Sequence, residues 1–249
     1  MAVLILGILL VGIAFLSASF SPRQPMTVAL DVGLSGLRFS LVLFALFWVQ
    51  ELVGREVERR TVMYALSYPV SRAAYVLGRY LGIVGLLAVA ALLLGLLLLL
   101  ATLGINAMSE QGFVPGLGMA FWITVFGLWV DAALVAAFSL MIASLSTVPM
   151  LPVALGMAFA FAGRGLGAVI DYLQRGADND VDFVSRYAPL IDMVQWVLPD
   201  LSRLDWRVWP MYDLFPGWLA MALAVVTACG YGVVMLALAV RTFSRRDFS

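Results

Sequence analysis

From Tyr80 to Leu103 the chain runs through ALLLGLLLLLATLG without one charged side chain. A stretch of about 20 apolar residues is what a helix needs to cross a bilayer, and a helix satisfies its own backbone N–H and C=O groups where water is absent. Comparable runs recur at about 2–20, 39–53, 118–142, 150–173 and 217–240. The expectation is an all-α integral membrane protein with six transmembrane helices in one permease-like domain over 1–249. Composition agrees: 63% of residues are hydrophobic and 12% charged, against roughly a quarter charged in soluble domains. A signal peptide competes for the first run, but no basic residue precedes it.

The 15 basic residues are all arginine, with no lysine or histidine. A P-loop, a Schiff-base lysine and a His-activated nucleophile are therefore excluded. The single cysteine, Cys229, lies in an apolar run, so neither an intrachain disulfide nor a Cys-rich metal site can form. No metal site is expected, and the scattered methionines read as packing.

A long polar and charged stretch set between two strongly apolar runs is ELVGREVERRTVMYALSYPVSRAAYVLGRYLG, Glu51 to Gly82. Glu51 with Arg55 and Glu56 with Arg60 have the i, i+4 spacing that pairs side chains along a helix face. Pro69 ends that helix, and Ser71 is placed to cap a second one starting at Arg72. Ser21 to Leu37 reads as a polar connection. Residues 174–216, rich in Asp, Arg, Trp and Pro, read as extracytoplasmic amphipathic helices lying at the interface, either as plain anchors or as a gate or docking site for an extracytoplasmic partner or lipid-like substrate.

Two ionisable residues stand at depth. Asp131 is near the middle of the fourth run, where a charge costs about 2.5–3.5 kcal/mol, and Arg164 of the fifth run is its expected partner; a polar point on a substrate path is the other reading. Gly163 and Gly167 have GxxxG spacing, which suits close helix approach within a subunit or across a dimer. Arg55, Arg59, Arg60, Arg72, Arg79, Arg241, Arg245 and Arg246 flank one end of the runs closely, and Arg23, Arg38, Arg175, Arg186, Arg203 and Arg207 fall at the other. The positive-inside rule then places the 51–79 elbow and both termini in the cytoplasm.

The elbow resembles the permease subunits of type-two ATP-binding-cassette exporters, in particular the copper-enzyme-maturation branch. The matching residues are Glu56, Glu58, Thr61, Leu66, Pro69, Val70, Ser71 and Arg72, followed by Leu77, Gly78, Arg79, Tyr80, Leu81 and Gly82. Arg60 departs from the usual Gly, and the cytoplasmic helix that usually precedes the first span is missing. The resemblance implies a multi-pass protein of the bacterial inner membrane, working as a dimer with a second copy of itself. It also implies two ATPase subunits that bind ATP and Mg, with the 51–79 elbow as the coupling helix. Glu51, Arg55, Glu56, Glu58, Arg59, Arg60, Thr61, Pro69, Ser71 and Arg72 are then the ATPase-coupling residues. This chain would need no cofactor, catalyse nothing and bind no nucleic acid. The alternative is a carrier or scaffold that works without an ATPase.

Overall fold

The computed structural model describes residues 2–21, 23–54, 71–108, 115–146, 148, 150–174 and 199–245. Among them every regular element is helical. In chain order these are α1 (Ala2–Ser19), α2 (Pro25–Val49), a π-helical turn (Gln50–Gly54), α3 (Arg72–Met108), α4 (Met119–Leu145), α5 (Leu151–Gln174), a 3-10 turn (Leu201–Leu204), α6 (Val208–Tyr212) and α7 (Trp218–Arg245). Four of these helical stretches, 25–53, 72–107, 119–145 and 218–245, are long and apolar enough to cross a membrane. α1 and α5 carry shorter apolar stretches, Ile5–Ser19 and Leu151–Gly167.

The second helix corrects the sequence reading. It begins at Pro25, not near residue 39, and takes in most of the stretch read as a polar connection. Pro25 is suited to the first helical turn, where its missing N–H is not needed. The face made by Met26, Leu30, Leu34, Leu37 and Leu41 is fully buried, so the polar residues between them do not interrupt the helix. Arg38, expected at a membrane surface, is carried into the bundle.

α4 is the centre of the molecule. It packs against α2, α3, α5 and α7, and 72% of its apolar window is buried, against 28% for α7. Leu34 and Leu41 of α2, Leu87 and Leu94 of α3 and Leu128, Ala132 and Ala136 of α4 belong to one buried cluster. Gly33 leaves room for Leu98, whose methyl carbons occupy the space a Cβ would need. Phe138 and Phe159 stack 4.2 Å apart between α4 and α5, which run antiparallel. α7 turns Leu219, Leu223, Val226 and Val233 outward, and α1 turns out Ile5, Ile8, Leu9 and Leu16. Large apolar surface of that kind marks a membrane or partner contact.

The stretch 199–207 leaves the rim and enters the bundle. At 1.5 Å per residue, Gly163 lies about 16 Å along α5 from Gln174, and Gly127 about 12 Å along α4 from Met119. A Cβ on Gly163 would meet Leu201 at 2.9 Å and the Pro199 carbonyl at 3.0 Å, and one on Gly127 would meet the Leu204 carbonyl at 2.6 Å. A Cβ on Gly167 would collide with Ser202. Three glycines on two helices thus make the slot for a largely non-helical segment. At such depth irregular backbone is tolerated only where protein or a wet cavity surrounds it. The GxxxG spacing of α5 is used here within the chain, against this segment.

Candidate functional site

The structure describes the two ends of the charged elbow. Arg55, Glu56, Glu58, Arg59, Arg60, Thr61 and Pro69 lie outside the described residues. At the entry, α2 loosens into the π-helical turn that carries exposed Glu51. At the exit, Ser71 Oγ accepts a hydrogen bond from the Ala74 N–H at 3.1 Å, an N-cap that satisfies one of the unpaired donors of the first turn of α3. Arg72 Nη1 donates to the Ser244 carbonyl at 3.0 Å, Tyr75 stacks on Phe243 at 5.4 Å, and the Arg79 guanidinium sits 5.4 Å from the Tyr75 ring centre. The start of α3 and the end of α7 are therefore one packed unit at this end of the bundle.

A second group of polar side chains lies deep between the helices. Asp131 of α4 is fully buried. Its Oδ2 accepts from Arg38 Nε of α2 at 2.9 Å and from Arg164 Nη2 of α5 at 2.6 Å. Arg38 also donates from Nη1 to Asp205 Oδ2 at 2.7 Å and from Nη2 to the Leu201 carbonyl at 3.3 Å. Arg207 grips Asp205 with two donors, Nε to Oδ1 and Nη2 to Oδ2, both 2.7 Å. Its Nη1 reaches Asp31 Oδ1 at 3.2 Å and Ser35 Oγ. Arg38, Arg164 and Arg207 are thus matched by Asp31, Asp131 and Asp205, and the cluster as a whole is neutral. Neutrality and paired donors are what make charge at this depth tolerable.

The cluster joins α2, α4 and α5 to the inserted 199–207 segment. Thr124 Oγ1 of α4 adds a bond to the Trp206 carbonyl at 3.2 Å, and Asp200 caps the 3-10 turn by accepting from the Ser202 N–H at 3.0 Å. Burial pushes the Asp205 carboxyl up. The hydrogen bonds from Arg207 and the charges of Arg38 and Arg207 outweigh that and hold it below the usual carboxylate range. The Asp205 hydrogen bonds raise the Arg207 guanidinium above its ordinary value, against its own desolvation. Two buried atoms of the cluster, Asp131 Oδ1 and Arg164 Nε, have no partner among the described residues. Among the described residues no three Cys, Asp or Glu side chains are grouped to hold a metal ion.

Of the residues singled out from sequence, Asp131 and Arg164 are brought into contact, as are Arg72 and the C-terminal end of α7. Arg38, Asp205, Arg207 and Asp31 were not singled out. Arg38 was placed among the arginines flanking the runs at one membrane face, although the apolar i, i+3, i+4 pattern of Met26, Leu30, Leu34, Leu37 and Leu41 around it was the signal that it is helical and faces inward.

The pattern that defines the ABC-2 family transporter proteins matches residues 19–248 of this chain. The chain is also 33% identical over 126 residues to the probable ABC transporter permease protein NosY of Stutzerimonas stutzeri. That alignment covers 48% of this chain and 42% of the relative, so less than half the length of the relative is matched.

Proposed function

Because the chain belongs to the ABC-2 family of transporter proteins, making it a multi-pass membrane subunit of an ATP-binding-cassette transporter, we propose that it forms the translocation path as a dimer driven through the 51–79 elbow. The family implies ABC ATPase partners. The proposal assigns two ATPase copies to a dimer of this chain, with ATP and Mg bound in the ATPases. It also assigns six spans, with α1 and α5 completing the four of spanning length, and both termini on the cytoplasmic face of a bacterial inner membrane. Glu51, Arg55, Glu56, Glu58, Arg59 and Arg60 supply the charged contacts to the ATPase. Thr61 and Pro69 lie on the path by which its motion reaches α3, and Ser71 and Arg72 anchor that helix.

The observation that supports this reading most is the joint at the exit of the elbow. α3 is capped by Ser71 and tied to α7 through Arg72 to Ser244 and Tyr75 to Phe243. A displacement of the elbow would move two spans together, as a power stroke delivered from outside the membrane requires. Deep in the bundle, the Arg38, Asp131, Arg164 cluster holds the inserted segment against three helices and is the natural place for a change of packing to be resisted or released.

The test is to reverse Glu56, Glu58, Arg59 and Arg60 together and purify the complex through this chain. The expected result is loss of the co-purifying ATPase, or an ATPase rate that no longer depends on the membrane subunit. An intact two-plus-two complex with unchanged ATPase rate would overturn the coupling assignment while leaving the family membership untouched.

A further inference from the structure

On the side of the inserted segment away from the buried charge cluster, α4, α7 and the 199–204 turn line a half-open cavity of about 330 Å³. Its volume is at the low end of the roughly 300–1,000 Å³ typical of small-molecule sites. α7 contributes Ala224, Thr227, Ala228 and Tyr231, an i, i+3, i+4, i+7 set that lies on one face of the helix. The two alanines are what leave the space. Leu134, Leu201 and Leu204 make the opposite apolar wall, and Asp200 and Arg203 stand at the turn.

Arg203 has its Nε on Asp200 Oδ2 at 3.2 Å and its side chain is 63% exposed, so its guanidinium is presented at the rim. Asp200 thus pairs with Arg203 through Oδ2, while its Oδ1 accepts from the Ser202 N–H and Oγ at 3.0 and 2.6 Å. A cation at the turn, beside the apolar side chains of Leu134, Ala224 and Ala228, is complementary to an anionic head on a hydrocarbon tail. The flanks of the cavity face the membrane, since Leu223 and Val226 on neighbouring faces of α7 are exposed.

We propose that this cavity binds a phosphate-headed amphiphile, with the phosphate on the Arg203 guanidinium and an acyl chain between Ala224 and Ala228 of α7 and Leu134 of α4. A guanidinium matches phosphate with two parallel charge-assisted hydrogen bonds. The tail replaces lipid or water against a wall that the small side chains leave concave. The source is either a phospholipid of the surrounding leaflet, held as a fixed part of the structure, or an amphiphile on its way across. The site stands on the cavity and its lining alone and does not depend on the coupling assignment above.

Two probes share one tail and differ in the head: palmitoyl lysophosphatidylglycerol and monopalmitoylglycerol. Binding of each to the detergent-purified complex is measured by native mass spectrometry. The wild-type chain is expected to prefer the phosphate-headed probe by about tenfold, equivalent to about 1.4 kcal/mol. Arg203→Gln, at an exposed position, is expected to abolish that preference without changing the fold. Ala228→Leu, which fills the cavity, is expected to weaken both probes. Equal binding of the two probes by the wild type, or a preference that survives Arg203→Gln, overturns the proposal. With ATP added to the complex, a probe that stays bound identifies a leaflet lipid, and a probe that leaves with turnover identifies cargo; both outcomes keep the site.

Discussion

Arg38 carries three bonds to two other parts of the molecule: Asp131 on α4, and Asp205 and the Leu201 carbonyl on the inserted segment. Replacing it with methionine would keep the bulk and leave two carboxylates short of a donor in a medium that cannot solvate them. Breaking a buried pair in this way costs about 3–5 kcal/mol. Arg207→Ala is expected to cost less, about 1–2 kcal/mol, because Arg207 lies nearer the rim and one of its partners, Asp31, has a side chain 55% exposed. Thermal unfolding in detergent, followed for both variants beside the wild type, checks the order. Equal losses would mean that depth does not set the strength of these bonds.

Asp205 adds a pH dependence with a definite sign. Its carboxyl is held below the usual range in the folded protein, whereas an unfolded Asp titrates near 3.9. Its contribution is therefore fully present above about pH 4 and is lost as pH falls through the lower folded value. Melting temperature should drop on acidification below about pH 4, and the drop should be smaller for Asp205→Asn, which has already lost the charge at neutral pH. A variant with the same acid slope as the wild type would assign the transition to other carboxylates.

Among the elements, the pairing of α5 with the 199–202 turn is set by two glycines one helical turn apart. Gly163→Leu would put a branched side chain where the Pro199 carbonyl and Leu201 now lie. Overpacking of that kind costs about 1–3 kcal/mol, and here the inserted segment is the part with room to move. With Cys229→Ala removing the single native thiol and Ser202→Cys as a reporter, Gly163→Leu should raise labelling by a water-soluble maleimide several-fold. Unchanged labelling would show that α5 yields and the segment does not. The π-helical turn at Gln50–Gly54 is a second irregularity, set where α2 enters the elbow. Such turns often occur at functional positions.

For the molecule as a whole, the contacts of α3 with α7 put the elbow exit and the end of α7 on one side, and the contacts of Arg207 with Asp31 put the start of α2 and the inserted segment on the other. Six spans would bring both termini to the elbow side. Single cysteines placed at residue 2 and residue 247 in the Cys229→Ala chain should both be shielded from a membrane-impermeant maleimide added to intact cells and labelled after permeabilisation. One terminus labelled in intact cells would require an odd number of spans.

Membrane class and helical content could be read from residue order, because a long uncharged run has few other stable fates in or out of a bilayer. The Ser71 cap was legible for the same local reason: the cap and the N–H it serves are three residues apart. What residue order left undecided was every pairing between distant parts. α2 was read short because its polar residues count against a span until their partners are known, and those partners are 93 and 167 residues away. The glycines of α5 were legible as a place of close approach, yet what approaches is a turn about 35 residues later in the chain, not a neighbouring helix. Local sequence determines which segments must leave water. Which charges survive there, and which backbone may stay irregular at depth, depends on what tertiary packing sets beside them, because a buried charge or an unpaired carbonyl is stable only with its partner in place.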